Sequence, residues 1–458
     1  MECLKTKIDS LILYLTPWQA LISSHMVSFL TQNLWSKHIP QSIRQEFETL
    51  CPVDCHAIFY SDSRVENKEI YKFISEAEEK SKNDFIMGVN ELKDKIKTWG
   101  FNDFKKLECG MQFMSSKKNH EVEVMSEIVA AMASVTDSKL IVDVGDGKGY
   151  LSSILNLEYD INVLGIDASS VNTTGATKRV QKMKKQWNGI KKNMKIITTQ
   201  MCSEEERKST SRYHCHTKYI DIDTDIKKLV LDEFSPDITS SYGLVGLHTC
   251  GKLSPVCLKQ FANNSSCSFL INVGCCYHLL DEGDSGDFPM SEYLKNANFK
   301  LGRNARMLSL QAPARISSSK NIKTESVMFR AVLEKLLMEK TSYTGHPQVE
   351  IGRISSKCKN FVEYIRKAIS KTPFEINMSD EEINYYLSSQ LHLELRLQFY
   401  FMVRVFLAPV IEKIILYDRL LYLKEQGLEE SYLVELFDPV ISPRCYGIIA
   451  KRVNKNKS

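Results

Sequence analysis

Nine residues carry the densest chemical signal in the chain: Val142-Asp143-Val144-Gly145-Asp146-Gly147-Lys148-Gly149-Tyr150. An apolar run passes an aspartate and then meets three glycines at alternate positions. Glycine lets a backbone turn sharply and lets a ligand come close to the amides. Asp143, at the end of the run, can orient the loop or reach a ligand amino group through water. Asp167 ends a second apolar run, Asn162-Val163-Leu164-Gly165-Ile166-Asp167. It lies at the distance of about 20 residues at which an acid accepts both hydroxyls of a ribose. A dinucleotide loop would read G-x-G-x-x-G. The G-x-G-x-G spacing of Gly145, Gly147 and Gly149 after an aspartate suits S-adenosylmethionine better than NAD. Asp223, or second to it Asp221, is placed to meet an adenine amino group, although a solvated loop acid is an equal reading. Asp146 stands where a small residue is more usual, so a degenerate, non-binding loop stays open as an alternative.

Two further clusters mix bases, thiols and an aromatic ring. One is Leu247-His248-Thr249-Cys250-Gly251, the other Gly274-Cys275-Cys276-Tyr277-His278. Each ends an apolar run, and in open α/β sheets ligands sit beyond the carboxyl ends of the strands. His248 or His278 could act as a general base on an accepting hydroxyl or nitrogen. Tyr277 could stack on a base. Cys250 and Cys276 could wall the reacting methyl or act as thiolate nucleophiles. Zinc is a weaker alternative. Cys250, Cys257, Cys267, Cys275, Cys276 and His278 are close in sequence but lack paired C-x2-C knuckles, and no metal is expected. His214-Cys215-His216 reads as a surface oddity. The competing meaning of both clusters is small residues packing a sheet. Lys118 and His120, with Glu121, open a helix that leads into the first strand, and Lys118 could pair with a ligand carboxylate. Arg303, Arg306 and Arg315 could grip phosphates. The basic run from Lys178 to Lys195 could touch an RNA backbone, though a solvated helix face is the commoner meaning.

These residues need strands to position them. Leu140–Val144, Asn162–Asp167, Lys218–Ile222, Gly243–Leu247 and Ser268–Val273 read as five buried strands alternating with helices, an α/β sheet with right-handed crossovers. Tyr432–Phe437 and Cys445–Lys451 read as a closing β-hairpin. Residues 1–110 read as a helical N-terminal region, 111–331 as a Rossmann-like core, 332–428 as a helical insertion and 429–453 as the hairpin that completes the sheet. Met194–Thr217 reads as a polar surface insertion, and the Lys-rich tail from Asn454 as disordered.

Composition is that of a soluble globular protein, with 43% hydrophobic and 25% charged residues in 458. A net charge of only +4 does not demand a polyanionic partner. Thirteen cysteines, an odd number, with no secretory pattern at the start, point to reduced thiols in cytoplasm or nucleus. The most apolar stretch, Phe399–Leu416, carries Arg404, Glu412 and Lys413, and reads as a buried helix rather than a membrane span.

Several of these strings resemble the methyltransferase-like protein 25 family: Met114–Val122, the Val142–Ser152 run, Gly246–Gly251, Asn272–Leu280, Gly302–Met307, and Leu436–Val440 through Ser442–Tyr446. The resemblance covers roughly residues 110–335 and 390–452 and is weaker at the N-terminus. It implies a class I Rossmann-like methyltransferase fold and an S-adenosylmethionine-dependent activity, but no particular acceptor. More distantly, the His-x-Cys-Gly and Cys-Cys-x-His strings resemble a eukaryotic tRNA 2′-O-methyltransferase domain. Enzymes that dimethylate adenine carry Asn-Pro-Pro-Tyr or Asn-Leu-Pro-Tyr where this chain has His248-Thr249-Cys250-Gly251, so that chemistry is not expected. RNA is the favoured acceptor and protein the second. A non-catalytic binding protein that retains the fold is the remaining alternative.

Overall fold

A computed structural model of the chain describes residues 1–50, 58, 68–104, 114–195, 212–283, 286–320, 322–345 and 354–453. The chain divides into two compact units. The first holds Met1–Ile8, Asn83–Lys300 and Ile415–Ser458; the second holds Asp9–Lys82 and Leu301–Ile414. These divisions fall at other positions than the pattern-based boundaries at 110, 331 and 428.

The first unit is built on one eight-stranded sheet. Its strands are β1 (Ile86–Gly88), β2 (Leu140–Val144), β3 (Asn162–Asp167), β4 (Tyr213–Thr217), β5 (Tyr242–Cys250), β6 (Cys267–Cys275), β7 (Ser431–Glu435) and β8 (Tyr446–Lys451). The order across the sheet is β1-β7-β8-β6-β5-β2-β3-β4. Only β8 runs antiparallel to its neighbours, β6 and β7. This is the expected α/β Rossmann-like sheet, completed by an antiparallel hairpin. β2 sits between β3 and β5, and all five of its residues are buried. That is why it reads as a continuous apolar run rather than an alternating one. The helix Ser116–Val135 lays Met125, Ile128, Val129 and Met132 into the same core as Val245, Ile271 and Val273. Each such side chain contributes about 1.5–3 kcal/mol of burial.

Two strands differ from the sequence expectation. The third parallel strand is Tyr213–Thr217, not Lys218–Ile222. It is the sheet's outer strand, paired only with β3, so its residues are only partly covered and the string Tyr-His-Cys-His-Thr carries no apolar run. Lys218 instead donates its amide to the Asp167 carbonyl at 3.0 Å as the chain leaves the sheet. Residues 196–211 of the expected insertion and the tail from Asn454 lie outside the described residues. The second difference is β1. Three residues inside a region expected to be wholly helical pair with Leu433–Glu435, too short a segment for periodicity to reveal.

The second unit is helical. Trp35, Phe47 and Phe399 form an edge-to-face cluster with ring centroids 4.8–5.8 Å apart, and the Glu334 carboxylate accepts hydrogen bonds from Ser28 (3.1 Å) and Thr31 (2.7 Å). Arg303, Arg306 and Arg315 belong to this unit. Arg306 is buried, so it is a packing residue rather than an exposed phosphate clamp. Among the described residues no helix is long and apolar enough to cross a membrane.

Candidate active site

The glycine loop joins β2 to the helix Tyr150–Leu157. All three of its glycines have positive φ: 78° at Gly145, 59° at Gly147 and 69° at Gly149. Non-glycine residues rarely adopt this region. At Gly149 space is short as well, since a Cβ would stand 2.5 Å from the Tyr213 hydroxyl and 2.8 Å from the Ala176 Cβ. Gly149→Ala is therefore expected to lower stability by about 2 kcal/mol. Denaturant unfolding measures this, and an unchanged midpoint would show that the loop relaxes at no cost.

Asp167 ties the loop to β3. Its Oδ2 accepts the Gly147 amide at 3.0 Å, and its Oδ1 accepts the Ser169 amide at 2.8 Å and the Asn172 Nδ2 at 3.0 Å. The carboxylate is half-buried, and Oδ2 keeps a second lone pair for a ligand hydroxyl.

The other two acids of the loop region face inward. Ser152 Oγ lies 2.9 Å from Asp143 Oδ2 and 2.8 Å from Asp146 Oδ1, and a hydroxyl has one proton to give. Tyr213 donates its hydroxyl to Asp146 Oδ2. Burial, and then the neighbouring Asp146 charge, push the Asp143 carboxyl well above the usual range; burial also raises Asp146. With Asp143 holding the proton, every contact in the group is satisfied. Asp143 is thus a buried strut for the loop, not an exposed partner for a ligand amine. Asp146 packs over Gly165, where any Cβ would collide with its carboxylate, and so leaves the ligand side of the loop clear. Asp223 lies in an exposed turn six residues beyond β4, and Asp221 caps that turn by accepting the Thr224 hydroxyl at 2.7 Å.

Across the sheet, β5 and β6 end side by side, with Cys250 opposite Cys275. His248 sits at an irregularity in that pairing with φ 66°, and Cys276 has φ 54°. The bulge aims His248 at Glu121, 2.8 Å from Nε2 to Oε1. Glu121 also accepts the Ser442 hydroxyl at 2.7 Å and is flanked by Lys118 at 3.4 Å and Lys117 at 3.5 Å. Burial alone would raise this carboxyl. The His248 hydrogen bond and charge, then Ser442 and Lys118, outweigh burial and hold it at about 2. Lys118 is therefore committed to Glu121 in this structure. His120 is committed too, since its Nε2 accepts the Asp438 amide at 3.0 Å and its ring meets Phe437 edge-on.

Cys250 is exposed, Cys275 buried and Cys276 half-buried. The Cys250 Sγ lies 2.9 Å from Cys275 Sγ and 3.5 Å from Cys276 Sγ. Hydrogen bonding from Cys275, then from Cys276, with the His248 charge, lowers the Cys250 thiol to about 6, while Cys275 and Cys276 are raised. Tyr277 does not face an acceptor. It is 1% exposed, with the Arg419 guanidinium 5.4 Å from its ring centroid. His278 follows it on a short 3-10 turn, half-buried. Cys257 and Cys267 are buried away from the cluster, with burial pushing Cys257 up to about 12. His214 and His216 are residues of β4 rather than of a surface loop, and both pair with Glu233 at 2.6 Å.

Glu121 stands in the sequence beside Lys118 and His120, but no role for it follows from the sequence alone. Its signal was present: Glu121, Met125, Ile128 and Met132 follow helical spacing, which places an acid on the stripe that faces the core. Nothing in the sequence pairs it with His248, 127 residues away.

A family model described as a methyltransferase domain matches residues 117–283, the span from the helix bearing Glu121 through the β6 cluster. A probable methyltransferase-like protein 25 from Mus musculus is 33% identical over an alignment of 460 positions, gaps included, that covers 74% of this chain and 75% of the mouse protein. A probable methyltransferase-like protein 25 from Homo sapiens is 28% identical over an alignment of 595 positions, gaps included, covering 98% of this chain and 97% of the human one. No solved structure matches.

Proposed function

Because the chain belongs to the methyltransferase-like protein 25 family, we propose that its methyltransferase domain takes a methyl group from S-adenosylmethionine and gives it to an RNA nucleotide. The observation that carries this reading is the glycine loop. Three left-handed glycines are fixed to Asp167, and the two acids that would have crowded the ligand turn inward. The residues present fit the cofactor. The loop leaves amides bare of side chains, and Asp167 retains acceptor capacity at the place where a ribose would lie.

Bound S-adenosylmethionine supplies an electrophilic methyl group on a sulfonium. The chain's own work is positioning and proton handling. Asp167 and the loop hold the nucleoside. Glu121 keeps the proton of His248 on Nε2, which leaves Nδ1 as the basic nitrogen that takes the acceptor's proton. The Cys250 thiol stands 3.4 Å from the His248 carbonyl.

RNA is favoured over protein by charge. Lys178, Lys182, Lys184 and Lys185 are exposed on the helix Ser170–Lys195, next to the loop that Arg179 braces through the Lys148 carbonyl at 2.5 Å. Replacing all four lysines with alanine is expected to reduce the salt slope of RNA binding by about 3, at about 0.7 per phosphate contact on a single strand. Filter binding across a salt series reads this, and an unchanged slope would take RNA off that helix face. The function itself is tested by transfer of tritiated methyl groups into fractionated lysate lacking this protein, with RNase and protease arms. Label that resists RNase and yields to protease would replace RNA with protein. Absence of any transfer, together with no measurable cofactor binding by calorimetry, would leave a non-catalytic binding protein.

A further inference from the structure

Cys250, Cys275 and Cys276 bring three thiol sulfurs within 4.8 Å of one another at the ends of β5 and β6. The group is assembled from two strands by specific backbone geometry. The β5–β6 pairing sets Cys250 opposite Cys275, and the Gly251 amide donates to the Cys275 carbonyl at 3.1 Å. Cys276 follows in the left-handed region, with φ 54°. A cysteine there is strained. Packing does not require the strain, since Cys276 is only half-buried. A second non-glycine residue, His248, is left-handed on the facing strand two residues from Cys250. Strain of this kind on both strands, around three soft donors, marks a built site rather than chance packing.

We propose that Cys250, Cys275 and Cys276 form a trithiolate site for a zinc-class, thiophilic divalent cation. Zinc holds thiolates at about 2.3 Å in tetrahedral geometry, so its sulfurs stand about 3.8 Å apart. The sulfurs here, at 2.9 and 3.5 Å from Cys250 and all within 4.8 Å of one another, need to shift by about 1 Å or less to reach that spacing. Harder cations prefer oxygen donors, and thiolates supply the soft set that zinc accepts. Three protein ligands leave one coordination position open, as in catalytic rather than structural zinc sites. Cys250 is the exposed member, so that position is reached from solvent on the side where the acceptor enters. The last point rests on the methyltransferase reading; the binding of the ion does not.

The test uses the full chain, stripped with a chelator under reducing conditions and titrated with zinc chloride against a chromophoric competitor. About one zinc per chain is expected. Cobalt substitution should give thiolate-to-cobalt charge-transfer bands, and X-ray absorption should show three sulfur neighbours near 2.3 Å. Cys250→Ser and Cys276→Ser, at positions open enough to tolerate serine, should each weaken binding by about a hundredfold or more. Cys257→Ser should leave it unchanged. Thermal unfolding of each variant separates loss of ligand from loss of fold. The proposal falls if the reduced protein takes up no zinc, or if both serine variants bind as the parent does. It also falls if Cys250 and Cys275 simply form a disulfide in air and the reduced pair retains no metal. Calorimetry with S-adenosylmethionine on the same samples keeps the two readings apart, because zinc binding without cofactor binding would sink only the methyltransferase reading.

Discussion

Replacing Asp167 with alanine is expected to weaken S-adenosylmethionine binding by about a hundredfold and to lower the unfolding midpoint as well, because the Gly147 and Ser169 amides and Asn172 Nδ2 lose their acceptor. A hydrogen bond from a ribose hydroxyl to the free acceptor position on Asp167 Oδ2 contributes about 1.5–3 kcal/mol. Losing it is about one to two decades in affinity. The side chain also ties down the Gly147 amide, and a loosened loop adds an ordering cost on binding. Asn172→Ala separates the two roles. It removes the 3.0 Å bond from Asn172 Nδ2 to Asp167 Oδ1 and leaves the carboxylate in place, so its effect should stay within about tenfold. Isothermal calorimetry on the parent and both variants gives the ranking. Asp167→Ala binding within twofold of the parent would remove Asp167 from the cofactor site and with it the main support for that site.

How far the sequence carries depends on the kind of contact. The position of Asp167 beside the loop was legible because it is set locally: the residue ends a buried run and lies a fixed step from the loop. β2, β3, β5 and β6 were legible because strands covered on both faces must be apolar throughout. β4 was not, because an outer strand needs no such run, and the most apolar short string nearby, ending in Ile222, lay just beyond it. The inward turn of Asp146 was illegible for a different reason. It depends on Gly165 having no Cβ and on Tyr213 reaching across from β4, and neither relation is periodic. The same holds for the thiols. Their closeness in sequence suggested a metal site and the missing C-x2-C knuckles argued against it, but pairing across β5 and β6 gathers ligands without knuckles. Tyr277 was misread because a tyrosine next to two cysteines and a histidine looks chemical, whereas the buried Arg419 occupies its face.

Glu121 joins stability to chemistry, and its substitution separates them by pH. The carboxyl ionises at about 2 in the folded chain against an ordinary value of 4.5. A lowered value means that the unfolded chain binds the proton more readily, so ionised Glu121 stabilises the fold above pH 4.5. That stabilisation fades as pH falls from 4.5 towards 2. That displacement corresponds to about 3 kcal/mol at most. Glu121→Gln should therefore be less stable than the parent by up to about 3 kcal/mol above pH 4.5, and by less wherever His248 is the neutral base, with the gap narrowing across pH 4.5 to 2. Denaturant unfolding at several pH values reads the gap, and one of equal size at pH 7 and near pH 2 would show that the loss is steric rather than electrostatic. The same variant tests the orientation of His248. An amide can still accept the Nε2 proton through its oxygen, but it no longer stabilises the imidazolium that forms when Nδ1 takes up a proton. Methyl transfer at saturating cofactor should then fall by about a hundredfold, the range over which a positioned base acts, while S-adenosylmethionine affinity stays near that of the parent. A variant that lost stability yet kept its rate would make Glu121 a structural anchor alone and would leave His248 without a partner in catalysis.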